Sequence, residues 1–210
     1  MHWMAELIDS NRHIVLASGN AAKLKELSTM LMPFAWTVRA QSEWNINEAV
    51  EDGHSFIENA LIKARHASRG TGLAAIGDDS GLLVDALGGV PGLYSARYAG
   101  EGASDKDNNQ KLLKALHEVP GSKRTAYFYC AMVFVRHADD PAPLIATGKW
   151  SGRILEQARG ECGFGYDPIF WVPGSECSSA ELSSEAKNKL SHRAQALSTL
   201  AAQMKNESRD

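Results

Sequence analysis

The sequence predicts a mixed α/β fold, and three observations carry that expectation. Short apolar runs alternate with helical periodicities early in the chain, strand signals dominate its middle, and a helical pattern returns at its end. Early βα alternation followed by a β-rich centre predicts a mixed sheet with flanking helices, not a uniform doubly wound one.

Ile14-Val15-Leu16-Ala17 is a short apolar run ended by Ser18-Gly19-Asn20, so it reads as a buried strand. Leu24, Leu27, Met30 and Leu31 then recur at helical spacing, and Pro33 closes that helix. A second helix starts at Ser55. Ser55 and Glu58 have the spacing of a capping box, in which each side chain satisfies a free N–H of the first turn. Phe56, Ala60, Ala64 and Ala67 form its apolar stripe, while Asn59, Lys63 and His66 share another face. Ala74-Ala75-Ile76 is the next strand and runs into Gly77-Asp78-Asp79-Ser80-Gly81. Ser104 can cap a helix carrying Leu112, Leu113 and Leu116. Thr125 to Val135 is rich in aromatic and β-branched residues and gives the strongest strand signal of the chain. Leu144 to Trp150 reads as its antiparallel partner across Asp139-Asp140-Pro141. The last helix carries Ala194, Leu197, Leu200, Ala201 and Met204. Residues 1–12 read as an extension, 13–205 as one domain and 206–210 as a tail.

Composition narrows the function. The chain has 210 residues, 44% of them hydrophobic, which suffices for one core or two joined lobes. Its net charge of -3 lacks the basic excess that neutralises a nucleic-acid polyanion, so no nucleic-acid partner is expected. Glu6, Asp9 and Arg12 interrupt any secretion-signal core, and no run reaches the ~18 apolar residues of a membrane span. Cys130, Cys162 and Cys177 are far apart and form no CxxC, which reads as free thiols in the cytoplasm.

The common phosphate-loop, dinucleotide, zinc-protease and serine-hydrolase motifs are absent. Five polar clusters remain. Ser18-Gly19-Asn20-Ala21-Ala22-Lys23 follows a strand and opens a helix. Such a turn can cradle phosphate with its N–H groups, with Lys23 adding charge. Taken alone, the segment reads sooner as an ordinary capped helix start with a solvated lysine. Asp78-Asp79-Ser80-Gly81 places two carboxylates between apolar segments. They need a cation, for which Mg²⁺ is the natural hard partner, unless the four residues form a β-turn. Glu51 is a possible second metal carboxylate, or part of a solvated acidic loop. Gly163-Phe164-Gly165-Tyr166-Asp167 offers flexible backbone and a flat aromatic face for a base, or a turn packing its aromatics inside. Lys187 precedes His192 and Arg193 by five and six residues, so one straight helix cannot aim all three at one point. If Ser191 caps a new helix, His192 and Arg193 sit at its positive end. Otherwise they belong to a solvated basic stretch.

These clusters, in this order, resemble the inosine triphosphate pyrophosphatase family. The similarity runs from Ile14 to about Ala202 and includes SGNAAKLKEL, EDGHSFIENALIKA, DDSGLLVDALGGVPGLYSARYAG, GFGYDPIF and the SHR of KNKLSHRAQAL. The resemblance implies an elongated mixed α/β fold with two lobes around a central cleft, and a homodimer. It implies Mg²⁺-dependent hydrolysis of purine nucleoside triphosphates such as ITP, dITP and XTP to the monophosphate and pyrophosphate. By position, Ser18, Gly19, Asn20, Ala21, Ala22 and Lys23 hold the triphosphate, and Lys63 adds charge. Glu51 and Asp79 match metal carboxylates, with Asp78 beside them, and Asp79 matches the proton acceptor. Ser80 matches a substrate contact. Phe164, Gly165, Tyr166, Asp167, Lys187, His192 and Arg193 match the purine pocket, with Tyr166 where some members carry Trp. Two other readings compete. A Maf-like pyrimidine triphosphate pyrophosphatase would share the α/β build, although GFGYD and SHR favour the purine family. A nucleotide sensor without turnover would have no use for Asp78-Asp79, whose charge repels a polyphosphate.

Overall fold

The computed structural model describes residues 13–18, 24, 25, 28, 29 and 37–207. Of the segment 19–23, expected at the phosphates, none lies within the described residues. The strands are β1 (His13–Ala17), β2 (Thr37–Ala40), β3 (Ala74–Val84), β4 (Thr125–Val135), β5 (Leu144–Ile154), β6 (Phe170–Val172) and β7 (Cys177–Ser178). The described helices are α1 (Phe56–Thr71), α2 (Asp105–Ala115), α3 (Ser184–Leu190) and α4 (His192–Glu207), with residues 24, 25, 28 and 29 also helical. One seven-stranded sheet has the order β2-β1-β3-β4-β5-β6-β7. β1 pairs in parallel with β2 and β3, whereas β6 pairs antiparallel with β5 and β7. The mixed α/β class expected from the sequence is therefore the class observed.

The chain forms two compact units. The first takes the described residues of Met1–Asp79, Ala131–Thr147 and Ala194–Asp210, and the second takes Ser80–Cys130 and Gly148–Arg193. In the first unit, β1 has neighbours on both sides and buries Ile14, Val15 and Leu16 completely. A parallel strand covered on both faces explains why its sequence is a continuous apolar run. Ser55 caps α1 by accepting from the Glu58 N–H at 3.2 Å, and Glu58 returns the contact to the His54 N–H at 2.9 Å. Ala60, Ala64 and Ala67 are fully buried, as expected for the apolar stripe of α1. Their small side chains let α1 approach the sheet closely.

Gly77 of β3 is where that approach is tightest. A Cβ there would press on the Ala60 carbonyl oxygen and stand 2.8 Å from the Ala64 nitrogen. These are helix backbone atoms and cannot rotate away. Gly77→Ala is therefore expected to cost at least about 1–3 kcal/mol, the usual range for overpacking. Thermal denaturation followed by circular dichroism checks this; an unchanged melting temperature would contradict the packing described.

The second unit has its own apolar core, which includes Leu82, Leu112, Phe128, Trp150, Tyr166 and Phe170. Phe128 and Phe170 stand 4.6 Å apart at 52°, a tilted aromatic pair. Ser104 caps α2 in the way the sequence predicts, accepting from the Asp107 N–H at 3.2 Å. β5 extends four residues beyond the Trp150 at which the sequence signal ends. Ser151 and Gly152 favour turns locally, but pairing of Arg153 with Trp171 and of Ile154 with Phe170 holds them in the strand. The helix α4 runs through Glu207, so the expected tail from 206 begins inside it. The three cysteines are free thiols. Among the described residues, no helix is long and apolar enough to cross a membrane.

Candidate active site

The segment Asp78-Asp79-Ser80-Gly81 is no turn. It lies within the eleven-residue strand β3, where sheet pairing overrides the turn preference of Asp, Ser and Gly. Successive strand side chains point to opposite faces, so Asp78 and Asp79 do not form one two-carboxylate claw. Gly77 and Asp79 face α1, and both acidic residues are buried, at 1% and 8% exposure. The parallel register sets Ala17 opposite Gly77, which brings Ser18, at the carboxyl end of β1, level with Asp78. Ligands of open α/β sheets gather at such carboxyl ends.

On the α1 face, three residues distant in sequence meet. Lys63 Nζ donates to Glu51 Oε2 at 3.0 Å and to Asp79 Oδ1 at 3.1 Å. Burial alone pulls the Lys63 ammonium toward neutrality. The carboxylates of Asp79, Asp78 and Glu51 outweigh it, and its pKa ends above the ordinary lysine value. Three carboxylates thus act on one cation, with Lys63 charged at neutral pH. Asn59, one helical turn before Lys63, donates to Asp79 Oδ2 at 3.2 Å and accepts from the Gly53 N–H at 2.9 Å. Asn59 is a site residue that the motif reading missed. The signal was present in its placement with Lys63 on the polar face of the helix. No group of three His, Cys, Asp or Glu side chains among the described residues closes around a common point.

The second unit assembles the other cluster. Asp167 is 3% exposed and accepts from Lys187 Nζ at 2.6 Å, Ser179 Oγ at 2.8 Å and the Phe164 N–H at 2.9 Å. Gly163 has φ +82°, and a Cβ there would collide with Asp167 Oδ2, so this turn requires glycine. Gly165 is held at both ends by α2: Asp105 accepts from its N–H at 2.6 Å, and Asn109 donates to its carbonyl at 3.0 Å. Phe164 stays partly exposed, with Lys187 Nζ 4.8 Å and Arg193 Cζ 5.2 Å from its ring centre. Both distances are within cation–π range. Arg193 also donates to Ser80 Oγ at 3.0 Å. The helix break at Ser191, which takes an extended backbone between α3 and α4, is what lets Lys187 and Arg193 converge on one ring.

Two expected pocket residues are placed differently. Tyr166 is only 4% exposed, inside the core, and its hydroxyl donates to the Ser95 carbonyl at 2.8 Å. Burial, followed by the nearby Tyr98 and Asp105, pushes its phenol pKa far up. Its ring face is packed rather than open to a base. His192 is 4% exposed and stacks on Phe128, with ring centres 4.9 Å apart and planes 11° from parallel. Tyr166 belongs to the apolar core, whereas His192 is as buried as its neighbour Arg193.

The Ham1 family model matches residues 14–203, and the chain belongs to that family. This bears out the resemblance read from the motifs. The dITP/XTP pyrophosphatase of Vibrio parahaemolyticus is 57% identical over 193 residues, covering 92% of this chain and 96% of that protein. The enzyme of the same name from Thioalkalivibrio sulfidiphilus is 57% identical over 187 residues, covering 89% and 95%. Among solved structures, a HAM1 protein from Coxiella burnetii has a TM-score of 0.86 at 45% identity, covering 92% of this chain and 98% of that one. The Nucleoside-triphosphatase / dITP/XTP pyrophosphatase of Mycobacterium abscessus has a TM-score of 0.72 at 41% identity, covering 90% and 97%.

Proposed function

We propose that this protein hydrolyses dITP, ITP and XTP to the monophosphate and pyrophosphate, in the cytoplasm and as a homodimer, and so clears deaminated purines from the nucleotide pool. The observation that carries this is the convergence of Glu51, Lys63 and Asp79, a charged set suited to polyphosphate chemistry, in a chain more than half identical to enzymes named for dITP and XTP. Water attacks the α-phosphorus, the bond to the bridging oxygen breaks, pyrophosphate leaves, and Asp79 takes the proton of the water. Lys63 and the 18–23 segment bind the phosphates. Preorganised charge is the main source of rate in such chemistry.

The donor set fits Mg²⁺. Glu51 and Asp79 are hard oxygen donors that already share a cation, the Lys63 ammonium, and the charge of Asp78 adds to their field. Mg²⁺ commonly takes only one or two carboxylates, with waters and substrate phosphates completing its shell, so a closed three-residue group is not required. Glu51 and Asp79 would hold the ion, with Asp78 contributing charge. Bound there, it would neutralise phosphate charge and orient the water.

Phe164 stacks on the base, and Arg193, Ser80 and Lys187 surround it with donors. Asp167 holds Lys187 and the Phe164 N–H, Asp105 and Asn109 hold Gly165, Tyr166 anchors the turn in the core, and His192 lies beside Arg193 at the start of α4. Phe164→Ala is expected to raise KM for every purine triphosphate, since stacking on a base is worth about 1–3 kcal/mol and tolerates base identity. Its partial exposure predicts little loss of melting temperature. A large loss of melting temperature with unchanged KM would make Phe164 a packing residue instead. Steady-state turnover of dITP against dTTP and UTP tests the substrate class: preference for the pyrimidines would replace this reading with the Maf-like one.

A further inference from the structure

Resting on the function just proposed, we infer that Asn59 is a positioning residue that fixes the rotation of the Asp79 carboxylate, turning Oδ1 toward Lys63. Asn59 is 4% exposed, uncharged and committed at both ends of its amide. Its Oδ1 accepts from the Gly53 N–H at 2.9 Å, and its Nδ2 donates to Asp79 Oδ2 at 3.2 Å. The two contacts determine the orientation of the amide together. Flipping it would set two donors face to face at Gly53 and two acceptors at Asp79. Gly53 lies two residues beyond Glu51, so a single amide ties the backbone beside one acid to the side chain of the other. The junction is packed at contact: a Cβ on Gly53 would meet Asn59 Oδ1 at 2.6 Å and Glu58 Cβ at 2.7 Å.

Lys63 holds the other oxygen of Asp79, but a lysine ammonium is a mobile point charge that a polyphosphate attracts. Asn59 carries no charge for the phosphates to draw. Its hold on Oδ2 persists when Lys63 turns to the substrate, and Asp79 keeps its aim through turnover. Asn59 does not touch the substrate; it acts through Asp79.

The test is steady-state pyrophosphate release from dITP by the full chain and by Asn59→Ala, at room temperature and near 10 °C, with circular dichroism melting in parallel. Positioning predicts that kcat falls about tenfold or more, while KM stays within about threefold, because the lost contact matters in the transition state. The deficit persists in the cold, where the variant is fully folded. An unchanged kcat, a loss expressed mainly in KM, or a deficit that disappears on cooling would each overturn the inference. If Asn59→Ala does not fold, Asn59→Asp takes its place under the same criteria. It has the same size and keeps an acceptor for Gly53, but offers Asp79 a like charge instead of a donor. Absence of pyrophosphate release by the unmodified chain is a separate outcome, and it refutes the functional reading itself.

Discussion

Asp79→Asn is expected to reduce pyrophosphate release from dITP by about 10²–10⁴-fold, the usual cost of losing a catalytic base, and to leave the fold intact. The replacement is nearly isosteric, and an amide oxygen can still accept from Asn59 Nδ2, the present partner of Asp79 Oδ2. Two electrostatic functions disappear together. The water loses its proton acceptor, and the cation cluster loses a carboxylate. Lys63 reports the second loss. Burial already pulls its ammonium toward neutrality, and Asp79 is the foremost of the three carboxylates that hold it charged. In the variant the pKa of Lys63 therefore falls. Steady-state kinetics with a melting curve check the expectation. Near-normal turnover would remove Asp79 from the chemistry.

Arg193→Ala is expected to cost far more activity on ITP than on ATP. Hypoxanthine and xanthine carry an oxygen at C6, where adenine carries an amino group. The Arg193 guanidinium, 5.2 Å from the Phe164 ring and bonded to Ser80, is a donor beside the proposed stacking surface. A donor there welcomes the oxo bases and leaves the adenine amino group facing another donor. An unmet hydrogen bond of this kind can separate substrates by about 10⁴-fold or more. The ratio of kcat/KM for ITP over ATP should therefore shrink by about tenfold or more in the variant. Arg193→Lys keeps the charge but loses the planar fork and should recover only part of the ratio. Guanine shares the C6 oxygen, so its rejection rests on a contact other than Arg193. An equal proportional loss on ITP and ATP would mean that Arg193 serves the phosphates or the fold.

The parts of this architecture that were legible in the sequence are those set by local chemistry. Thr125–Val135 is a strand to its end residues because aromatic and β-branched side chains fill it. Ser55 and Ser104 mark helix starts because their hydroxyls meet first-turn N–H groups. The spacing of Lys187, His192 and Arg193 ruled out one straight helix aiming all three at one point but left open whether Ser191 starts a new helix, which the structure shows it does. Other parts depend on partners far along the chain. β6 and β7, of three and two residues, are too short to show a period. Asp78 to Gly81 have turn-forming composition, and only pairing within β3 makes them extended. Tyr166 and His192 sit among polar motif residues, and the cores that bury them are assembled from distant segments. The convergence of Glu51, Lys63 and Asp79 was legible only through the family resemblance. Asn59 shared a helix face with Lys63 but had no motif to mark it, and its role emerges only once α1 is set against β3.

Product analysis with the purified chain and dITP, with and without Mg²⁺ and with ATP in parallel, examines the reaction itself. Equimolar dIMP and pyrophosphate are expected from dITP, with dependence on the metal and far slower reaction of ATP. Release of orthophosphate instead of pyrophosphate, or equal turnover of ATP, would contradict it.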